Sequence, residues 1–189
     1  RNPVMLTALA VVHWNERRLP EQRAYLYESI IRWLSRSREQ GPGRTTADGT
    51  VVLLQELALA MQDLPDGRQV QVSRHRGARA IAPFFREVPE EERIETAEEF
   101  LEKEEVDSGI VVGRGERDVR FWHLTFQEFL AAKAIASRLE AKQTNILFPD
   151  AEKVYLPDWR EVVLLLAGAL HQQGEAKVNW LIGKVLAGL

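Results

Sequence analysis

The sequence predicts a mainly α-helical chain that carries one small β-hairpin. Three observations lead there. Apolar residues recur at i, i+3, i+4 and i+7 along much of the 189 residues, one stretch alternates apolar and polar residues around a Gly-rich turn, and clusters of Gly, Pro and Asp punctuate the rest. A hydrophobic content of 45% is enough to bury a core in one to three small modules.

Pro3 suits the first turn of a helix, where its missing N–H costs nothing, and Val4, Leu6, Leu9 and Val12 extend that helix to about Trp14. Pro20 opens a second helix, in which Tyr27, Ile30, Ile31 and Leu34 form a core-facing stripe, and Gly41-Pro42-Gly43 ends it. The run from Gly41 to Gly49 contains no large apolar residue and reads as a linker. A third helix carries Leu54, Leu57, Ala58 and Met61 and stops at Pro65-Asp66-Gly67. Val70 and Val72, alternating with Gln69, Gln71 and Ser73, read as a short strand.

A helix is expected from Arg74 to Phe85, and another over about Ala97 to Glu105 with Thr96 and Glu99 as a capping box. Ile110-Val111-Val112 and Val119-Arg120-Phe121-Trp122 flank Gly113-Arg114-Gly115-Glu116 as a β-hairpin. Thr125 and Glu128 form a second capping box, ahead of a helix to about Leu139 with Phe126, Phe129, Leu130 and Ala134 on one face. Helices followed by a hairpin in this order make a winged-helix layout. Beyond a polar gap from Lys142 to Pro157, Trp159, Val162, Val163, Leu166 and Leu170 mark one more helix and Val178 to Leu186 its partner, the start of a helical array. The expected modules are a helical domain at 1–43, a winged-helix domain at 44–141 and the start of a second helical domain at 142–189.

A net charge of -3 and a pI near 5.9 arise from charges of both signs spread along the chain, without the basic stripe that phosphate backbones select, so nucleic acid is not the expected partner. No apolar run reaches the roughly 18 residues needed to span a bilayer, and Arg1 to Thr7 lack a signal-peptide layout; the expected location is cytoplasmic, away from membranes. The absence of cysteine excludes disulfides, thiolate metal sites and a cysteine nucleophile. Without an initiator Met, and with an apolar helix beginning within three residues, the chain reads as a piece of a longer protein.

No phosphate loop, H-E-x-x-H, G-x-S-x-G or dinucleotide fingerprint occurs, so no catalytic residue or metal site is assigned and the fragment is not expected to be an enzyme. Gly113-Arg114-Gly115 lies between two strands and lacks the helix N-terminus that cradles phosphate. Glu90 to Glu92 and Glu102 to Glu105 have no partnering His and read as solvated faces. His123 stands apart, because it lies between the hairpin and the next helix, where unsatisfied N–H groups and the helix dipole favour an anion. Position alone favours the plainer role, in which it closes that junction by hydrogen bonding to a nearby backbone carbonyl.

Phe121-Trp122-His123-Leu124-Thr125-Phe126-Gln127-Glu128-Phe129-Leu130-Ala131-Ala132 resembles the F-x-H-x-[ST]-F-Q-E-[FY]-x-A-A signature that closes the winged-helix domain of NACHT ATPases, a branch of the STAND class. Arg1-Asn2-Pro3-Val4-Met5-Leu6 is similar to the opening of the helical domain that follows the nucleotide-binding core there, and Leu19-Pro20 to Ile30 to the next block. The resemblance implies that His123 contacts the β-phosphate of ADP and that Pro3 packs near the adenine. It also implies that ADP or ATP, with magnesium, is held by an upstream NTPase core of the same parent chain and binds this fragment weakly or not at all. The parent would then be an ATPase switch that forms a homo-oligomer when activated. High Ala, Arg and Leu usage hints at a bacterial source, where such proteins serve antiviral defence or signalling, as the animal members serve innate immunity. Two other readings stay open: a winged-helix DNA-binding protein that reads DNA through the basic segment Arg74, His75, Arg76, Arg79 and Arg86, and a helical adaptor without nucleotide control.

Overall fold

The computed structural model describes residues 10, 13–14, 23–36, 46–115, 117–149 and 153–187. Its helices are α1 (Arg23–Arg36), α2 (Ala47–Gln62), α3 (Arg74–Ile81), α4 (Arg93–Asp107), α5 (Leu124–Ala136), α6 (Glu140–Leu147), α7 (Arg160–Gln173) and α8 (Glu175–Ala187). The strands are β1 (Val72–Ser73), β2 (Val111–Arg114) and β3 (Asp118–Phe121). The expected helix from Pro3 to Trp14 lies outside the described residues except for Ala10, His13 and Trp14, which are helical.

The succession α2, β1, α3, α4, β2, β3 is that of a winged helix. β3 is the central strand, antiparallel to both neighbours: Val72 pairs with Val119 on one side, and Val111 with Phe121 and Gly113 with Val119 on the other. Gly115, at φ +69°, makes the tight turn that joins β2 to β3. The inward residues of the sheet, Val72, Val111, Val119 and Phe121, close over Leu57, Ala78, Ile81 and Leu101 from the helices behind.

α5 is the axis of the molecule. Ten of its residues are buried, so it lacks a solvent face, as expected of a helix covered on several sides. It packs chiefly on α2 and α7 and also touches α1. Ala131, Ala132, Ala134 and Ala136, all buried, let these neighbours come close, while Phe126, Phe129, Leu130 and Ile135 fill the space between them. Tyr27, Ile30, Ile31 and Leu34 of α1 join this core, as their spacing predicts.

Four expectations need correction. Thr96 does not cap α4: the helix continues from the 3-10 turn Glu90–Glu92 and begins at Arg93, and the Thr96 hydroxyl donates to the Glu92 carbonyl at 3.0 Å within the first turn. Thr125 and Glu128 do not form a capping box either, because His123 is the N-cap and Glu128 turns into the core. The described residues of the polar gap from Lys142 to Pro157 are not loop alone. They contain most of α6 and the 3-10 turns Lys153–Tyr155 and Pro157–Trp159, held by buried Gln143, Leu147, Val154 and Trp159. Finally, the end of the expected linker gives way to helix: the Thr46 hydroxyl accepts from Gly49 N at 3.2 Å, which makes Ala47 to Gly49 the first turn of α2.

Candidate functional site

His123 leaves β3 in an extended conformation, φ -136° and ψ 139°, and turns the chain into α5. The Trp122 N–H donates to Ile110 O at 2.8 Å, which anchors the hairpin just before the junction, and Phe126 N–H donates to His123 O at 2.9 Å to start the helix. The imidazole takes the capping role usually filled by Ser, Thr, Asp or Asn. Its Nδ1 lies 3.2 Å from Thr125 N and 2.7 Å from Thr125 Oγ1. A backbone N–H can only donate, so Nδ1 is the acceptor, and in the neutral ring the proton resides on Nε2. The half-buried imidazole is fixed laterally by the edge of Phe126, with centroids 6.4 Å apart. Among the described residues nothing hydrogen-bonds Nε2, which is left as a donor beside the positive end of α5.

Phe126 ties this junction to the core, stacking edge-on to Tyr27 of α1 at 6.1 Å and lying 6.3 Å from the half-exposed Trp122. The two polar residues that follow it are buried. The Gln127 amide donates to the Gln69 carbonyl at 3.0 Å, and the Glu128 carboxylate accepts from Arg68 Nη1 at 2.9 Å. Arg68 Nη2 reaches on to Asp158 Oδ1 at 2.8 Å. Burial pushes the Glu128 carboxyl up from 4.5 to about 6, against the opposing pull of the Arg68 guanidinium. Sequence reasoning assigned Glu128 to a cap and overlooked Arg68 altogether.

Pro3, the other predicted nucleotide contact, lies outside the described residues. Among those residues no cluster of His, Asp and Glu could hold a metal ion, and no helix is long and apolar enough to cross a membrane.

The charges around the helix-turn-helix pair α3–α4 bear on DNA binding. In such a pair the second helix is the one that enters the major groove. Here α4 carries seven carboxylates against two cations. Its acids also occupy part of the basic segment before it: Arg74 pairs with Glu102 at 2.8 Å and Glu105 at 3.1 Å, and His75 Nδ1 lies 2.8 Å from Glu98. Such a surface repels a phosphate backbone where a reading helix would have to approach it.

Comparison with known proteins finds a match to the family model described as the winged helix-turn-helix domain C-terminal to NACHT, over residues 23–135, more than half of the chain. The match spans α1, the whole winged helix and nearly all of α5. No curated protein and no solved structure matches this chain.

Proposed function

Since the chain belongs to the family of winged helix-turn-helix domains C-terminal to NACHT, we propose that it is the regulatory arm of a nucleotide-dependent signalling switch. In this reading the arm senses ADP or ATP held, with magnesium, by an NTPase core of the same parent chain. The observation that carries it is the divided use of the His123 ring: Nδ1 is spent on capping α5, and Nε2 keeps its proton for an external acceptor. A β-phosphate oxygen of ADP is such an acceptor, and the dipole of the α5 N-terminus adds to the attraction.

ADP would hold the arm closed on the core through His123. Exchange for ATP would release it and permit self-association of the parent in the cytoplasm. A hydrogen bond to a charged group is worth about 1.5–3 kcal/mol, or roughly ten- to a hundredfold in a closed–open equilibrium. This is enough to bias a switch without chemistry in the arm itself. Pro3 would lie near the adenine.

The test measures ADP affinity and basal oligomerisation of the parent protein for wild type, His123→Ala and His123→Asn. Asn restores a capping acceptor but places no donor where Nε2 stands, so both variants should lose ADP affinity about ten- to a hundredfold, while only His123→Ala loses the cap. Unchanged ADP affinity in both variants would remove His123 from nucleotide sensing and leave a helical adaptor.

A further inference from the structure

The segment from Gln62 to Gln69, between α2 and β1, is held from two sides by polar side chains. From α5, Gln127 binds the Gln69 carbonyl at 3.0 Å and Glu128 binds Arg68 at 2.9 Å. From the turns that precede α7, Asp158 offers its carboxylate to Arg68 at 2.8 Å and its backbone carbonyl to Gln62 Nε2, also at 2.8 Å. Lys153 pairs with Asp63. Arg68 is the point where the two sides meet, with one guanidinium nitrogen on each. Its side chain is only 19% exposed.

We propose that this segment is a polar clip that sets the angle of the α7–α8 pair on the winged helix, with Arg68 as its pivot. Apolar packing of α7 against α5 and α1 supplies attraction, but that attraction is non-directional and tolerates sliding. Val162, Leu166 and Leu170 would remain covered in more than one register. Charge-assisted hydrogen bonds have narrow geometry, and a planar guanidinium bound on both sides fixes an angle as well as a distance. Burying Arg68 and Glu128 is costly in desolvation, so the pair adds little net stability, yet losing one partner strands the other. Polar groups with that balance specify an arrangement more than they stabilise it. Arg23 of α1 also holds Glu161 at 2.5 Å, a further tie to the start of α7. The proposal does not depend on nucleotide contact by His123.

The chain contains no cysteine, which makes site-specific spin labelling direct. Labels at Arg79→Cys on α3 and Lys184→Cys on α8, both exposed positions, report the angle as a distance distribution by pulsed electron resonance. The unmodified pivot should give one narrow distribution. Arg68→Met should broaden it and speed amide exchange in residues 160–173 by roughly tenfold, with hairpin amides 111–121 unchanged. Asp158→Ala removes the half-exposed outer carboxylate without disturbing the core, and should broaden the distribution in the same sense even if Arg68→Met does not fold. Unchanged widths in folded variants, or faster exchange that is equal in hairpin and α7, would overturn the clip.

Discussion

The raised ionisation of Glu128 gives the fold a specific pH signature. Its carboxyl titrates near 6 in the folded chain against an ordinary value of 4.5, because desolvation outweighs the attraction of Arg68, with Glu161 and Asp158 adding repulsion and Arg23 opposing it. The folded form therefore binds this proton more tightly than the unfolded form does. The ionised carboxylate works against stability above pH 6, and the penalty is fully relieved only below pH 4.5. At about 1.4 kcal/mol per pH unit, the rise amounts to about 2 kcal/mol, and the side chain is only 8% exposed, so solvent screens little of it. For a chain of this size that is a difference of about 4–8 °C in Tm.

Glu128→Gln keeps a carbonyl oxygen for Arg68 and removes the titration. Melting wild type and Glu128→Gln side by side by circular dichroism between pH 8 and pH 4.5 cancels the contribution of every other carboxylate. Wild type should gain most of that interval on the variant as the pH falls, most steeply between pH 6 and pH 4.5. Parallel Tm curves would refute the assignment of a desolvated, raised carboxyl to Glu128. A gap that moves in the opposite direction would show that the Arg68 pair wins over burial.

Removing the α5 cap in His123→Ala should lower stability by about 1 kcal/mol in chemical denaturation, and His123→Asn should recover most of it; equal losses in both variants would argue against capping. Gly174, between α7 and α8, sits at φ +133° and ψ 149°, a region essentially reserved for Gly, with open space where a Cβ would go. Gly174→Ala should therefore cost about 1–3 kcal/mol through backbone strain alone, seen as faster amide exchange in α8; an unchanged exchange pattern would contradict the strain. Phe126 is fully buried against Tyr27, and Phe126→Ala should cost about 3–5 kcal/mol in denaturant unfolding; a loss below about 1 kcal/mol would mean that the junction repacks.

The parts of the fold legible in the sequence are those where burial is one-sided and local. The stripe Tyr27, Ile30, Ile31 and Leu34 reads as a core face because it is one, and the hairpin reads from its alternation and Gly115 because both are consequences of pairing within a few residues. α6 escaped because its anchors include the buried polar Gln143, whose amide donates to Arg138 O at 2.7 Å, and no hydropathy pattern marks a polar anchor. The location of His123 was legible from the resemblance, but its cap was not, since imidazole is an uncommon capping group and the adjacent Thr125 is a common one.

Glu128 shows the deeper limit. In sequence, Thr125-Phe126-Gln127-Glu128 satisfies the spacing of a capping box, and only the three-dimensional surroundings decide whether the glutamate turns back to the helix start or inward. α5 is covered on nearly every side, so Gln127 and Glu128 each need a partner inside the protein, and both partners come from Arg68 and Gln69. Arg68 is 60 residues away from Glu128 in the chain, beyond any local pattern. A signature helix that demands two buried polar partners dictates where the loop between α2 and β1 must lie. Through Arg68 and Asp158 that loop dictates where α7 begins. Substitution of Gln127 should therefore disturb the start of α7, with which it makes no hydrogen bond, as well as the loop it touches. Amide exchange in residues 160–163 of Gln127→Ala measures that reach, and protection lost in residues 62–69 alone would confine the effect of Gln127 to the loop.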